Sequence, residues 1–437
     1  MASTYLTKTL STPTNNKIFT LSMWVKRTAI GATHDLFTSG ADNDNEFLVR
    51  LDNDDTLLVK QDQGASEEMS RRTNAKFKDV NCWYHLVIAI DTTQSTASDR
   101  QKIYINGVQE TSFSSTVNFS QNADVEANKA ASHTIGKRNF SSAGYFDGCI
   151  SHIHFIDGTA YDASAFGLTD STTGEWKINT SPSVTYGNNG FFILKDGNSV
   201  TDQSGNSNNW TVSGTLTKTE DNPSNVFATW NPLYYAGGSV THSAGNTRFA
   251  ESGNYWKSTL ATIGASTGKY YAEFKCNGNW MIAGVVDLNE TLEYGIVDRN
   301  FFSTTYISNQ GYGIYNADGS LRYRGSETTY ASTYGSGDIL QVALDCDNNR
   351  VFFGINGTWQ NSADPTSSGT GFAMNATNPI YTFACSVQTD EVHANFGNGY
   401  FNTTAVASAG TNASGIGIFE YNVPTGYTAL STKGLNE

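Results

Sequence analysis

Basic residues are scarce in this sequence: Lys and Arg number 27 against 41 Asp and Glu, a formal charge of −14. So acidic a surface repels phosphate backbones and anionic lipid heads, which argues against nucleic acid or a membrane as partner. Cysteine is also sparse. The five residues (Cys82, Cys149, Cys276, Cys346, Cys385) are odd in number, widely spaced and without a CxxC pair. They point to buried free thiols made in a reducing cytoplasm rather than to disulfides or a zinc site. No run of about 18 apolar residues occurs, and the first residues lack a basic stretch followed by an apolar core. The expectation is a protein that is neither signal-exported nor inserted in a membrane, and that reaches the outside of a cell by lysis or on a particle.

The short motifs of catalysis are missing too. There is no H-E-x-x-H and no P-loop. Glycan cleavage on a β-sandwich needs two carboxylates on one strand face, one to protonate the leaving oxygen and one to attack, and neither E-x-D-x-x-E nor E-x-D-x-E occurs. Asp124 and Glu126 lie in a polar stretch and read as solvated, while Glu67-Glu68 and Asp390-Glu391 are adjacent pairs that point to opposite faces of a strand. His152 and His154 share a strand face but lack a third ligand, and read as partly exposed sheet residues. No catalytic residue is assigned, and the expectation is a non-enzyme.

What is present is strand and turn chemistry. Only 16% of residues are charged, 12% are aromatic and Gly numbers 41, the composition of short strands joined by tight turns. In Phe19 to Lys26, Phe19, Leu21, Met23 and Val25 share one face and Thr20, Ser22 and Trp24 the other. Similar segments follow at 46–51, 56–60, 83–91, 102–105, 133–135 and 148–156. The rhythm returns at 269–274, 280–286, 312–315, 339–344, 351–355, 380–386 and 392–396. Asn106-Gly107 and Asn356-Gly357 close hairpins, since both residues tolerate left-handed φ. A length of 437 residues suits two cores. Pro223 and Pro232 interrupt pairing near the junction. The predicted fold is all-β, two antiparallel β-sandwich domains of jelly-roll, concanavalin A-like type in series, spanning 1–220 and 221–437, with the less periodic stretch 161–260 left unassigned between completing the first and standing apart.

Four elements of the first domain, Leu21-Ser22-Met23-Trp24-Val25-Lys26, Trp83 to Asp91, Ile103-Tyr104-Ile105-Asn106-Gly107 and Tyr145-Phe146-Asp147-Gly148-Cys149-Ile150, resemble the laminin-G-like or concanavalin A-like lectin family. In the second, Gly268-Lys269-Tyr270-Tyr271-Ala272-Glu273, Gly337 to Asp345, Val351 to Gly357 and Asn395-Phe396-Gly397 resemble the SPRY family. His154 to Gly158, Tyr186 to Phe191, Asp202 to Thr211 and Thr229-Trp230-Asn231-Pro232-Leu233 are similar to phrases of tailed-bacteriophage virion proteins, especially those of marine hosts.

These resemblances imply a virion structural or adhesion protein: a tail fibre, head fibre or capsid decoration. Its implied partners are host cell-surface carbohydrate and other virion proteins, and its implied state is a homo-oligomer, such as a trimer, that gains affinity by multivalency. The rival expectation is a polysaccharide depolymerase. Aromatic rings that stack on sugars are expected at one loop-built end of the SPRY-like sandwich: Trp280, Tyr312, Tyr315, Tyr323 and Trp359. Calcium is the one cofactor the loops suggest, with oxygen ligands offered by Asp42, Asp44 and Asn45, or by Asp202, Asn206 and Asn208.

Overall fold

The computed structural model describes residues 4–195, 197, 199–234, 240–289, 300–302, 311–374 and 378–436. Among them the only helical turns are short 3-10 pieces such as Ala163–Ala165, and no helix is long and apolar enough to cross a membrane. The chain divides into two compact units, Met1–Lys218 with Asn222–Ser224, and Thr219–Asp221 with Asn225–Glu437. Stretch 161–218 therefore completes the first unit.

Strict alternation makes each strand of the first unit amphipathic, and two sheets close over the apolar faces. One sheet has eight strands, in the order Phe113–Val117, Ser66–Lys76, Thr56–Gln63, Asn45–Leu51, His34–Asp42, Ser132–Ile135, Tyr5–Thr9, Thr211–Ser213. The other has six: Phe191–Ile193, Gly148–Asp157, Ile18–Arg27, Tyr84–Asp91, Gln101–Ile105, Val108–Gln109. Phe19, Leu21, Met23 and Val25 meet Phe37, Phe47, Val49 and Val59 between the sheets. The Asn106-Gly107 turn forms as expected, both residues at positive φ of 48° and 84°. The first and last strands of this unit are neighbours, Tyr5–Thr9 pairing antiparallel with Thr211–Ser213.

The second unit repeats the plan. Its larger sheet runs Val240–Ser243, Arg248–Glu251, Glu391–Asn395, Lys269–Cys276, Ile339–Asp345, Arg350–Ile355, Thr358–Trp359. Phe372–Ala373 joins Arg350–Ile355, and Thr428–Ala429 adds to Lys269–Cys276 in parallel. The smaller sheet runs Lys257–Leu260, Tyr381–Val387, Met281–Asp287, Gly311–Tyr315, Ser320–Tyr323, Ser326–Thr329. The motif residue Trp230 is a plug at the centre, fully buried with its ring 5.6 Å from Phe274 and 4.9 Å from Phe396. Here too the ends meet, Ala228 N–H donating to Leu430 O.

Each unit also covers the outer face of one sheet. In the first, 159–190 lies over the six-stranded sheet, packing Phe166, Trp176 and Tyr186 on Val87 and Ile156. In the second, the tail after Asn398 packs Phe419, Val423 and Tyr427 on Tyr271, Ala343 and Phe352 of the larger sheet.

Candidate functional site

The virion-type phrases of the first unit turn out to hold its cover in place. Trp176 Nε1 donates to His85 Nδ1 at 2.9 Å, and Ser22 Oγ lies 2.8 Å from His85 Nε2. An indole only donates, so the proton of His85 sits on Nε2 and is given to Ser22. The pair therefore cannot work as a nucleophile and its base, which would need an unprotonated Nε2. Burial pushes His85 down to about 3 and His154 well below the ordinary range. His154 meets the Tyr186 hydroxyl at 2.9 Å and stacks on Phe192 at 3.9 Å. It is 2% exposed, which corrects the expectation of a partly exposed residue. A bulge between Ser151 and His154 breaks the alternation that would have set His152 and His154 on one face.

Asp202, Asn206 and Asn208 interlock with the turn Tyr186 to Gly190. The Asp202 carboxylate accepts the N–H groups of Phe192, Ser204 and Asn208 and the Ser204 hydroxyl. The Asn206 and Asn208 amides donate to the carbonyls of Gly187, Asn188 and Gly190. Gly190 has no room for a side chain, since a Cβ would stand 2.0 Å from Tyr186 O. Asp42 Oδ1 likewise accepts from Asp44 N, Asn45 N and the Asn45 amide within a hairpin. In both sets the carboxylate oxygens are engaged by N–H and O–H donors of their own loops, and in the Asp202 set the Asn amides donate to backbone carbonyls, so that as placed these groups tie the turns together. Among the described residues no group of three His, Cys, Asp or Glu is arranged to hold a metal.

Two carboxylates do stand side by side on the outer face of the eight-stranded sheet, where register pairs Glu46 with Asp62. Each is tied to a cation, Glu46 to Arg138 and Asp62 to Lys60 at 2.8 Å. Burial raises Glu46 and Arg138 opposes it. Glu126 is buried against Lys129 rather than solvated.

In the second unit the five expected aromatics part company. Tyr312 faces inward, 1% exposed in the core. Tyr323 packs on Phe372 at 4.9 Å. Trp359 belongs to the cluster under the C-terminal cover. Tyr312 and Tyr323 face each other across a strand pair on the core side, while Trp280 and Tyr315 come together at 6.3 Å toward the surface.

Trp280 and Tyr315 are joined by a ring the sequence reading missed, Trp256, which follows the exposed Tyr255. Trp256 meets Tyr315 edge-on at 5.9 Å. The loops carrying them are stitched together: Gln388 N–H donates to Trp280 O, the Gln388 amide to Asn254 O and the Thr389 hydroxyl to Gly253 O. Tyr315 is the floor, 6% exposed beneath the Arg322 guanidinium at 4.1 Å, while Tyr255 is 53% and Trp280 49% exposed. Beside this platform opens a shallow depression of about 400 Å³ lined by Asn279, Asn316, Thr333 and Asp338 among others. A half-exposed ring, Trp280, beside polar groups offers the elements of sugar recognition: an apolar face to stack on and partners for hydroxyls.

Residues 2–164 match the family described as the concanavalin A-like lectin/glucanases superfamily. No curated protein matches the chain. Solved structures similar to it include the SPRY domain of human HERC1, 17% identical over 38% of this chain and 96% of that one with a TM-score of 0.30. A human SPRY domain is 14% identical over 37% and 96%, with a TM-score of 0.27. The native heptameric SAP-like pentraxin from Limulus polyphemus is 16% identical over 45% and 90%, with a TM-score of 0.30.

Proposed function

We propose that this is a non-catalytic binding protein of a tailed-bacteriophage particle, and that its second unit attaches to glycan on the host surface through the Trp280–Tyr315 platform. The observation that carries the reading is the exposure of Trp280 on a stitched loop base, where rings of a sandwich otherwise sink into the core. The match of residues 2–164 to a lectin and glucanase superfamily supports a carbohydrate role, and the virion placement rests on the sequence resemblance. Substituting Trp280→Ala should abolish binding to host surface polysaccharide without moving the thermal unfolding of either unit. Undiminished binding by that variant sinks the assignment of the site. Gold-labelled antibody against the chain should decorate intact particles in electron micrographs, and bare particles would remove the virion placement.

The second reading, a depolymerase, is favoured by the neighbouring Glu46 and Asp62. With each bound to a basic side chain, neither offers a free carboxyl for proton transfer or attack. New reducing ends released from host polysaccharide by the wild type but not by Glu46→Gln would establish it.

A further inference from the structure

The charges around the platform bear on which glycans it admits, a step that rests on the binding reading above. We infer that the ligand is a neutral glycan, built of hexose or N-acetylhexosamine rings without carboxylate, sulfate or phosphate, and that Asp318 and Glu327 enforce this choice by occupying Arg322.

Arg322 is the cation that stacks on the platform's floor, its guanidinium 4.1 Å from the Tyr315 ring centre. A guanidinium at a sugar site is the natural fork for an acidic sugar's carboxylate. Here two exposed carboxylates flank it instead, Asp318 at 3.6 Å from Nη2 and Glu327 at 3.5 Å from Nε. These ion pairs come from neighbouring positions on the sheet: Glu327 faces Arg322 across the strand pair, and Asp318 lies in the turn before it. Asp390 sits under the Trp280 backbone, accepting its N–H at 2.9 Å. Asp338 lines the depression, held by Gly335 N–H and the Asn356 amide.

Among the described residues, Asp318, Glu327, Asp390 and Asp338 thus lie on the strands and loops that carry Trp280, Tyr315 and the depression, with Arg322 the cation on the floor. An incoming anionic sugar would meet like charge well within the screening length of about 8 Å in physiological salt. A neutral ring meets no such barrier. It can lay its C–H face on Trp280 and share hydroxyls with the exposed Asn279 and Thr333 and the lone pairs of Asp338.

The test uses the full chain and titration calorimetry with neutral probes (malto-, cello-, manno- and chito-oligosaccharides) and acidic ones (oligogalacturonate and oligoalginate). At least one neutral probe should bind, with little dependence on salt, and should be lost in Trp280→Ala. Acidic probes should bind the wild type at least about tenfold more weakly. The double substitution Asp318→Asn with Glu327→Gln frees Arg322 and keeps a side-chain acceptor for Ser320 N–H. It should raise affinity for oligogalacturonate by about fivefold in a salt-sensitive way while leaving the neutral probe unchanged. Tighter wild-type binding of an acidic probe at Trp280, or no gain in the double variant, overturns the neutral-ligand inference and leaves the binding reading standing. If no probe of either kind binds, both fall.

Discussion

In the first unit the segment over 159–190 is held to its sheet by neutral imidazoles, His85 under Trp176 and His154 under Tyr186. In the second unit the covering tail is held by a carboxylate. Glu273, fully buried, accepts the Glu420 and Tyr421 backbone N–H groups at 2.8 Å each, the Tyr271 hydroxyl and the Asn395 amide. Both devices keep a buried polar group satisfied while tying a loop to a sheet over a long sequence distance. They differ in how they meet a proton, because burial lowers an imidazole and raises a carboxyl.

Acidification separates the units most. His34 is pushed down to about 4 and His85 to about 3, with His154 also lowered, all chiefly by burial. A histidine lowered on folding loses stability as pH falls below its unfolded value. His34 and His85 should then each cost the first unit roughly 2 kcal/mol at pH 5, His154 acts in the same direction, and Asp35 and Glu46, raised by burial, offset a part. His133 is likewise pushed down to about 4 by burial, although its two backbone carbonyl partners oppose the shift.

In the second unit, burial lowers His242 to about 4 and raises Glu273 to about 7. A carboxyl raised on folding stabilises at low pH and loses that contribution as pH climbs through its folded value, so the two shifts nearly cancel between pH 8 and 5. Pulse hydrogen exchange read by mass spectrometry should show first-unit peptides opening on acidification while second-unit peptides hold. Equal opening would erase the contrast.

Packing gives the next largest difference. Trp230→Ala should cost the second unit about 3 to 5 kcal/mol, the usual loss for a buried aromatic, with the first unit's calorimetric transition unmoved. Glu273→Gln sharpens the pH comparison directly: without the carboxyl, the second unit should lose about 2 kcal/mol between pH 8 and 5 through His242, with His393, also lowered by burial, acting in the same direction. A pH profile unchanged in that variant would show that Glu273 does not balance it. The smallest effect is expected of Trp176→Phe, which keeps the ring and removes its N–H. It should cost the first unit about 1 kcal/mol and speed proteolysis within 159–190.

Much of the sandwich was legible because period-2 patterning is local: Phe19 to Lys26 became Ile18–Arg27, and 339–344 became Ile339–Asp345. Strands richer in polar residues, such as Ser66–Lys76 and Ser326–Thr329, carried too little apolar contrast to be seen. The covers were hidden for another reason. The amides of Asn206 and Asn208 act on carbonyls 16 to 20 positions away, and nothing in a polar run announces its distant partner.

The platform was half legible. Alternation puts Tyr312 and Tyr315 on opposite faces, but only the assembled sheet shows which face is the core. Tyr255 and Trp256 escaped notice because they follow the turn residues Gly253 and Asn254 rather than an alternating run. An aromatic pair stranded among turn residues was the available signal.

The pairing of Tyr5–Thr9 with Thr211–Ser213, and of Ala228 with Leu430, brings the two ends of each unit together. A body whose chain enters and leaves by adjacent doors can be grafted into the loop of a foreign protein, or have its old ends sealed by a short linker and new ones cut elsewhere. Each sandwich is therefore portable, and exchange of one for another requires matching only a single narrow seam.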